Sequence, residues 1–557
     1  MEALILLGIL VAISLIAMVL GIRDEKAREK ALLEKLKKNF GQAPKREYKN
    51  DELDHIPGYF KAHKEDFQLD DTTWNDFNMD GVFARSNYCL SAAGEEYLYY
   101  LLRTPKLSDD FDDMEKKVTF FQKNDEQRRK LQLIFSKIGR NIRYSIYDYI
   151  DYLDGAKGFS NKGHYFMLLM MLLAVIGCFF SFTTFFITLI GLALVNIVRY
   201  FQVKNEIESY LSSYRYIMKV INCVEYFEKL DIPEISDDIE RLKKAAVNLK
   251  GFKKGSYILM SSSRMNSGGN PAEMLLDYIR IITHADLIKF NQMYKEIMKH
   301  KDELDEILTV TGKLEAYISI ACFRESFKDS YCIPEFKGDS IHVKELLHPL
   351  IENAVPNDID TDRGVLITGS NASGKSTFLK ALGINQILAQ SFHTALSLEY
   401  VSPIYRVFSS MALSDNIFEG DSYYIVEIKS IKRILDAANE SAAKVLCFVD
   451  EVLRGTNTIE RIAASTQILK TFSDNKVMCF AATHDIELTT LLENEYKLHH
   501  FEGTVSDNDV HFDYIIKDGP ATNRNAIKLL GVLGYDKQIV TRAQDMADRF
   551  LSTGIWS

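Results

Sequence analysis

The 557-residue sequence has no CxxC pair, no internal repeat, no low-complexity tract and no excess of basic charge. Its seven cysteines (Cys89, Cys178, Cys223, Cys322, Cys332, Cys447 and Cys479) are scattered singly. That scatter argues against a zinc-ligand array or a disulfide framework, and fits a reducing compartment with mostly buried, inert thiols. A formal net charge of −10 removes the global electropositive field of a nucleic-acid binder. A local basic groove can still sit on an acidic protein. The apolar fraction of 47% and charged fraction of 26% are those of an ordinary globular chain, long enough for several domains.

Two stretches break that globular pattern. "ALILLGILVAISLIAMVLGI", residues 3–22, runs twenty residues without a charge before "RDEKAREK". The length suits a bilayer-spanning helix, and the basic residues that follow put the bulk of the chain on the cytoplasmic side. A cleavable signal peptide is the rival reading, although a basic n-region and a small-residue cleavage site are both missing. The second stretch, "YFMLLMMLLAVIGCFFSFTTFFITLIGLALVNIVRYF", spans residues 165–201. As one helix it would run roughly 55 Å, too long for a core of about 30 Å. Two helices joined near "CFFSFTTF" fit better. Lys157, Lys162, Arg199 and Lys204 flank both outer ends and predict that both face the cytoplasm. A spanning hairpin, a re-entrant or shallow one, and a buried helix pair in a soluble core all remain open.

The remaining periodicities divide the chain. Residues 23–69 read as a charged linker, and 70–164 and 202–345 show helical apolar spacing, as in "EEYLYYLLRTP" and "ELDEILTVTGKLEAYISIACF". From residue 346 short β-branched runs ("VLIT", "YRVF", "VLCFVD", "VMCFAATH") alternate with helices, which predicts an α/β domain around a buried sheet.

Within that domain, Gly369-Ser370-Asn371-Ala372-Ser373-Gly374-Lys375-Ser376, followed by Thr377, satisfies G-x-x-x-x-G-K-[ST] between a strand and a helix. Glycines let the backbone curl so that N–H groups and the next helix N-terminus surround phosphate oxygens. Lys375 then reaches the β- and γ-phosphates of ATP, and Ser376 ligates Mg²⁺. "KVLCFVDEV" ends an apolar strand in Asp450, placed for the metal, and Glu451, placed to polarise an attacking water. "CFAATHDIE" ends another in Thr483 and His484, a polar pair able to sense the γ-phosphate.

In this order, "ITGSNASGKSTFLKAL", "DNIFEGDSYYIVEIKSIKRIL", "VDEVLRGTNTIE", "FAATHDIEL" and "YIIKDGPATNRNAIKLLGVLGYDKQIVTRAQDM" resemble the ATPase domain of the MutS family, the DNA mismatch repair ATPases. The resemblance covers residues 346–557. It continues more loosely through "HPLI" at 348–351 and "TTWNDFNMDGVFARSNYCLSAAGEEYLYYLLRTP", which looks like the opening of the family's helical core and lever. It implies that two ATPase domains pair as a homodimer, each completing the other's site. Gly420 and Ser422 match the signature segment facing the partner's γ-phosphate, with Glu427 on the helix behind. Gly455, Thr456 and Asn457 match the loop lining the dimer interface. Asp421 and Tyr423 replace the usual basic residue and threonine, and Ala354-Val355 stand where relatives often place an adenine-stacking aromatic. The family's N-terminal mismatch-reading domain has no evident counterpart in residues 1–69, and no β-rich clamp insertion is evident. The loop at 251–273, with Lys253, Lys254 and Arg264, offers a modest basic patch that also reads as a solvated loop.

The expected fold is thus an α/β ABC-type P-loop ATPase domain at the C-terminus, preceded by an all-α MutS-like core and lever region with transmembrane helices. The domain expectation is an anchor at 1–22, a linker at 23–69, core helices at 70–164, a hairpin at 165–201, core and lever at 202–345 and the ATPase at 346–557. The resemblance to a membrane-anchored MutS-related branch implies an ATP hydrolase at the inner or plasma membrane, with a cytoplasmic ATPase domain handling DNA. The alternative is a membrane-linked ABC-like switch that acts on a protein partner without DNA.

Overall fold

The computed structural model describes residues 23–48, 50–140, 145–148, 160–253, 278–370, 373–411, 423–440, 443–454, 456–505, 510–521, 526–532 and 534–554. The expected anchor at 1–22, Asn371, Ala372, Gly420, Asp421, Ser422, Gly455 and most of the basic loop lie outside the described residues.

Among the described residues up to 331 the chain is helical and contains no strand. Its axis is the Lys301–Glu325 helix, apolar around most of its circumference and buried at Leu314, Ile318 and Phe323. It packs against Ala92–Arg103, where a Cβ added at Gly312 would fall 2.6 Å from the Ala93 carbonyl oxygen. A side chain there would force the two helices apart.

The two apolar helices are Lys162–Gly177 and Phe182–Phe227. They run antiparallel: Gly163 lies under the Arg199 guanidinium, and Gly177 lies under the Phe185 ring. The turn falls at 178–181, inside the expected "CFFSFTTF". The second helix does not stop at residue 201. It runs unbroken to Phe227, 46 residues in all, so the expected boundary at residue 201 falls inside one helix. Among the described residues one stretch, Phe182–Ile207, is long and apolar enough to cross a membrane.

The C-terminal portion holds two larger sheets. Strands β1 (Glu335–Phe336), β2 (Ile341–Leu346), β3 (Asn357–Thr361), β4 (Val365–Thr368), β5 (Glu399–Ser402) and β6 (Arg406–Ser410) come first. After them come β7 (Val445–Asp450), β8 (Met478–Thr483), β9 (Lys497–His500), β10 (Gly503–Val505), β11 (Val510–Phe512) and β12 (Lys517–Asp518). One sheet has the order β1-β5-β2-β3 and the other β12-β9-β4-β8-β7-β6; β10 and β11 form a separate hairpin. Within the six-stranded sheet every pair is parallel except β12 with β9. β4, β7 and β8 are almost wholly buried, which explains their unbroken apolar runs. Because β2 pairs with both β3 and β5, the α/β portion begins upstream of residue 346, at β1.

Helical and α/β portions are joined by the segment "DDTTWND". Asp76 accepts from the Ser409 hydroxyl at 2.6 Å and the Met411 N–H at 2.9 Å, while Asp70 pairs with Arg433 on the Tyr423–Glu440 helix.

Candidate functional site

Parallel order puts the C-terminal ends of β4, β8 and β7 side by side, with Thr368 opposite Thr483 and Asp450 opposite Ala482. Such an edge is where open parallel sheets present ligand-binding groups. Here β4 delivers Gly369, β7 delivers Asp450 and Glu451, and β8 delivers Thr483 and His484.

Gly369 has φ +145°, and a Cβ there would lie 2.4 Å from the Phe501 carbonyl oxygen. Only glycine fits. Gly374, at φ +110°, caps the Lys375–Phe392 helix. Between them the Lys375 ammonium donates to the carbonyls of Gly369 (2.7 Å) and Ser370 (2.8 Å). Burial holds Lys375 below its ordinary pKa, with Asp450 and Glu451 opposing. The buried Ser373 hydroxyl has no hydrogen-bond partner among the described residues. An unpartnered donor, a lysine turned onto loop carbonyls and a helix N-terminus together suit a phosphate chain.

Ser376 donates to Asp450 Oδ2 at 2.5 Å. Burial raises the Asp450 carboxyl and the neighbouring Glu451 adds to this, against the Ser376 hydrogen bond and the Lys375 charge. Two hard oxygen donors meeting beside the phosphate loop suit Mg²⁺. Glu451 sits at φ +63°, mostly buried, with one oxygen on Arg454 and the other 3.2 Å from His484 Nδ1. Burial pushes its carboxyl up, but Arg454 and His484 outweigh this and leave it below the ordinary range. His484 is half-exposed and also lies 3.8 Å from Asp485, which Arg461 holds through two bonds.

A cavity of about 290 Å³ opens beside Gly374 and Thr377, lined by Ala354, Val355, Phe378, Phe501 and Tyr514. It is apolar and adjoins the phosphate loop, as a base pocket should. Tyr514 stands there with its Cδ1 3.2 Å from a Cβ built on Gly374. Asn357 fixes that segment, donating to the Tyr514 carbonyl (3.0 Å) and accepting from the Ile516 N–H (2.7 Å). The sequence shows only that Ala354-Val355 are not aromatic; Tyr514 comes from 160 residues away in chain order.

Of the expected site residues, Gly369, Ser370, Ser373, Gly374, Lys375, Ser376, Thr377, Asp450, Glu451 and His484 are gathered at this edge. Sequence reasoning missed Tyr514, Arg454 and the contact of Glu427 with the loop after Glu451. Tyr514 and Glu427 have no local signal, because each acts through a contact distant in sequence; Arg454 lies only three residues from Glu451, within the quoted "VDEVLRGTNTIE".

Residues 365–551 match the family description "MutS domain V". The chain is 30% identical over 274 residues to the DNA mismatch repair protein MutS of Thermotoga maritima, covering 47% of this chain and 33% of that protein. It is 28% identical over 260 residues to the MutS of Thermus aquaticus (46% and 31%) and 28% identical over 335 residues to that of another Thermotoga strain (58% and 40%). The chain thus spans about a third of the length of these curated relatives. Residues 365–551 are thus a MutS domain V built around this phosphate-loop edge, and the chain is similar to MutS proteins over about half of its length.

Proposed function

We propose that this protein binds and hydrolyses Mg-ATP at the Gly369–Thr377 turn, in a composite site completed by a second copy, to drive DNA binding or clamping at a membrane face. The observation that carries the reading is the convergence of Lys375, Ser376, Asp450, Glu451 and His484 on one sheet edge. Bound Mg-ATP would supply the scissile phosphoryl group and the metal charge. Lys375 would exchange its loop carbonyls for phosphate oxygens, and Ser376 and Asp450 would hold the metal. Glu451 would take the proton of a water at Oε2 once Arg454 has moved off that oxygen, with His484 steadying Oε1. Gly420 and Ser422 are the residues proposed to reach the partner's nucleotide.

The DNA role is supported by the relatives' names, and a link to mismatch repair follows from the same resemblance. The membrane role is supported by the exposed apolar side chains of the hairpin, including Phe166, Leu172, Ile187 and Leu194. The proposed location is the inner or plasma membrane with the ATPase domain in the cytoplasm, and residues 1–22 as a further anchor. A second reading, a membrane-linked switch acting on a protein partner without DNA, is favoured by one feature. The hairpin and the lever share a single continuous helix.

The test is steady-state ATP hydrolysis by the detergent-solubilised full-length protein, titrated with homoduplex, mismatched and branched DNA. Glu451→Gln is expected to reduce turnover by roughly 10²–10⁴-fold. A rate that responds to DNA supports the first reading. A Glu451-dependent rate indifferent to every DNA supports the second, and a rate that ignores Glu451→Gln removes both.

A further inference from the structure

The hairpin has one polar end and one end without polarity. At its root, Lys162, Tyr165 and Arg199 are exposed. Buried polar contacts fix the same level: Tyr200 donates to Asp286 at 2.8 Å, and the Asn196 amide donates to the carbonyls of Ile281 (3.2 Å) and Ile282 (3.0 Å). From Tyr165 the chain then runs to Arg199 with no Lys, Arg, Asp, Glu, Tyr or Trp between them. The turn presents Phe179 and Phe180 at 88% and 86% exposure, with Phe182 exposed next to them.

Length decides what that shape can do. The Lys162–Gly177 helix has 16 residues, so it rises about 24 Å. On the second helix the helical domain already grips Asn196, which leaves about 21 Å between that grip and Phe182. A hydrocarbon core is about 30 Å thick. A crossing hairpin would also carry a second belt of Tyr, Trp or charge at its far end, where the turn meets headgroups and water. This turn carries phenylalanine. Much of its backbone is paired internally: the N–H groups of Cys178, Phe179, Phe180 and Ser181 all bond to carbonyls of residues 174–177, and Ser181 accepts from Phe185, while the first N–H groups of the second helix have no side-chain cap. Ser181 satisfies its hydroxyl on Thr184, and Thr188 on the Thr184 carbonyl.

We propose that the hairpin is a re-entrant insertion. It enters the bilayer from the side of the ATPase, carries its Phe179–Phe180 tip into the acyl chains and turns back without reaching the opposite headgroups. Its occupant is lipid hydrocarbon, and Lys162 and Arg199 meet the anionic headgroups of the entry leaflet. The inference rests on the membrane reading of the preceding subsection and narrows it from spanning to re-entrant.

The tip holds its own probe. Cys178 is partly exposed in the turn, and among the other cysteines only Cys332 is not buried. Full-length protein carrying Cys332→Ser, labelled at Cys178 with an NBD maleimide, is reconstituted into phosphatidylcholine–phosphatidylglycerol vesicles. The lipids carry nitroxides either at the headgroup or in mid-chain. The expected result is blue-shifted emission, stronger quenching by mid-chain than by headgroup nitroxides, and protection from dithionite on both sides of the vesicle. Bleaching by dithionite confined to the side opposite the ATPase, with headgroup quenching dominant, means that the hairpin crosses. That outcome overturns the inference and leaves the membrane reading standing. Unshifted emission, bleaching from the ATPase side and no mid-chain quenching mean that the hairpin does not enter lipid, and the membrane reading of this segment fails with it.

Discussion

The carboxylate of Glu427 accepts hydrogen bonds from the backbone N–H groups of Leu453 and Arg454, tying the Tyr423–Glu440 helix to the loop that carries Glu451. That loop is strained. Glu451 and Leu453 both hold positive φ, +63° and +58°, which costs on the order of 1–3 kcal/mol at each residue unless the surroundings impose it. Glu427 is buried and supplies part of that imposition. Glu427→Ala is therefore expected to lower kcat by about tenfold or more through misplacement of Glu451, an interaction needed in the transition state. The KM for ATP should change little, because no phosphate contact is removed. Steady-state kinetics separate the two; a raised KM with unchanged kcat would contradict this role.

Ser376 and Asp450 meet at 2.5 Å and are the two oxygens proposed for the metal. Ser376→Ala removes one donor and leaves the other buried and underused. The Mg²⁺ concentration at half-maximal turnover should rise by about tenfold, since outright loss of a ligand commonly costs at least what loss of its supporting partner does. Nucleotide binding in EDTA should be nearly unaffected. A magnesium titration of turnover beside a fluorescent-ATP titration without metal reads both quantities.

Tyr514 borders the apolar cavity beside the phosphate loop. Stacking a base on an aromatic ring contributes roughly 1–3 kcal/mol, so Tyr514→Ala should weaken ATP binding about tenfold or more. Tyr514→Phe should bind nearly as the parent does. Tripolyphosphate, which has no base, should bind both variants alike. Equal losses for ATP and tripolyphosphate would place the base elsewhere.

Local signals made the candidate site's edge legible. A glycine that only a tight phosphate turn requires, a lysine at a helix start and acids at the end of an apolar run are all written in contiguous residues. The strands β4, β7 and β8 were equally readable, because burial on both faces leaves unbroken apolar runs. β2 was missed although Ile341 to Lys344 alternate buried with more exposed residues, because that period-2 run is short and breaks at Glu345, which holds φ +53°. The continuity of Phe182–Phe227 was hidden by a change of solvent. Its outer half is apolar on every side and mostly exposed, whereas its inner half is largely buried and leaves Lys219, Glu225 and Tyr226 to solvent, so one helix reads as two segments.

Arg324, buried at the end of the Lys301–Glu325 helix, shows how the contact between the helical and α/β portions should respond to acid. Its guanidinium donates to both oxygens of Glu115 (2.9 and 2.8 Å), to Thr394 and to the carbonyl of His393, just beyond the Lys375–Phe392 helix. Burial alone would raise the Glu115 carboxyl, but the bonds from His393 and Arg324 outweigh it and bring its pKa from 4.5 to about 2. A carboxyl lowered on folding contributes its full stability above its unfolded pKa. That contribution falls away as pH drops from 4.5 through about 2, because the unfolded chain takes up the proton first. Glu115→Gln should therefore destabilise the protein at pH 7 by roughly 1–3 kcal/mol, after allowance for partial solvent screening. The difference from the parent should narrow between pH 4.5 and pH 2. Urea unfolding of parent and variant across that range measures it. A gap that stays constant down to the acid limit would mean that the Arg324 bonds stabilise through shape, with the charge of Glu115 contributing nothing.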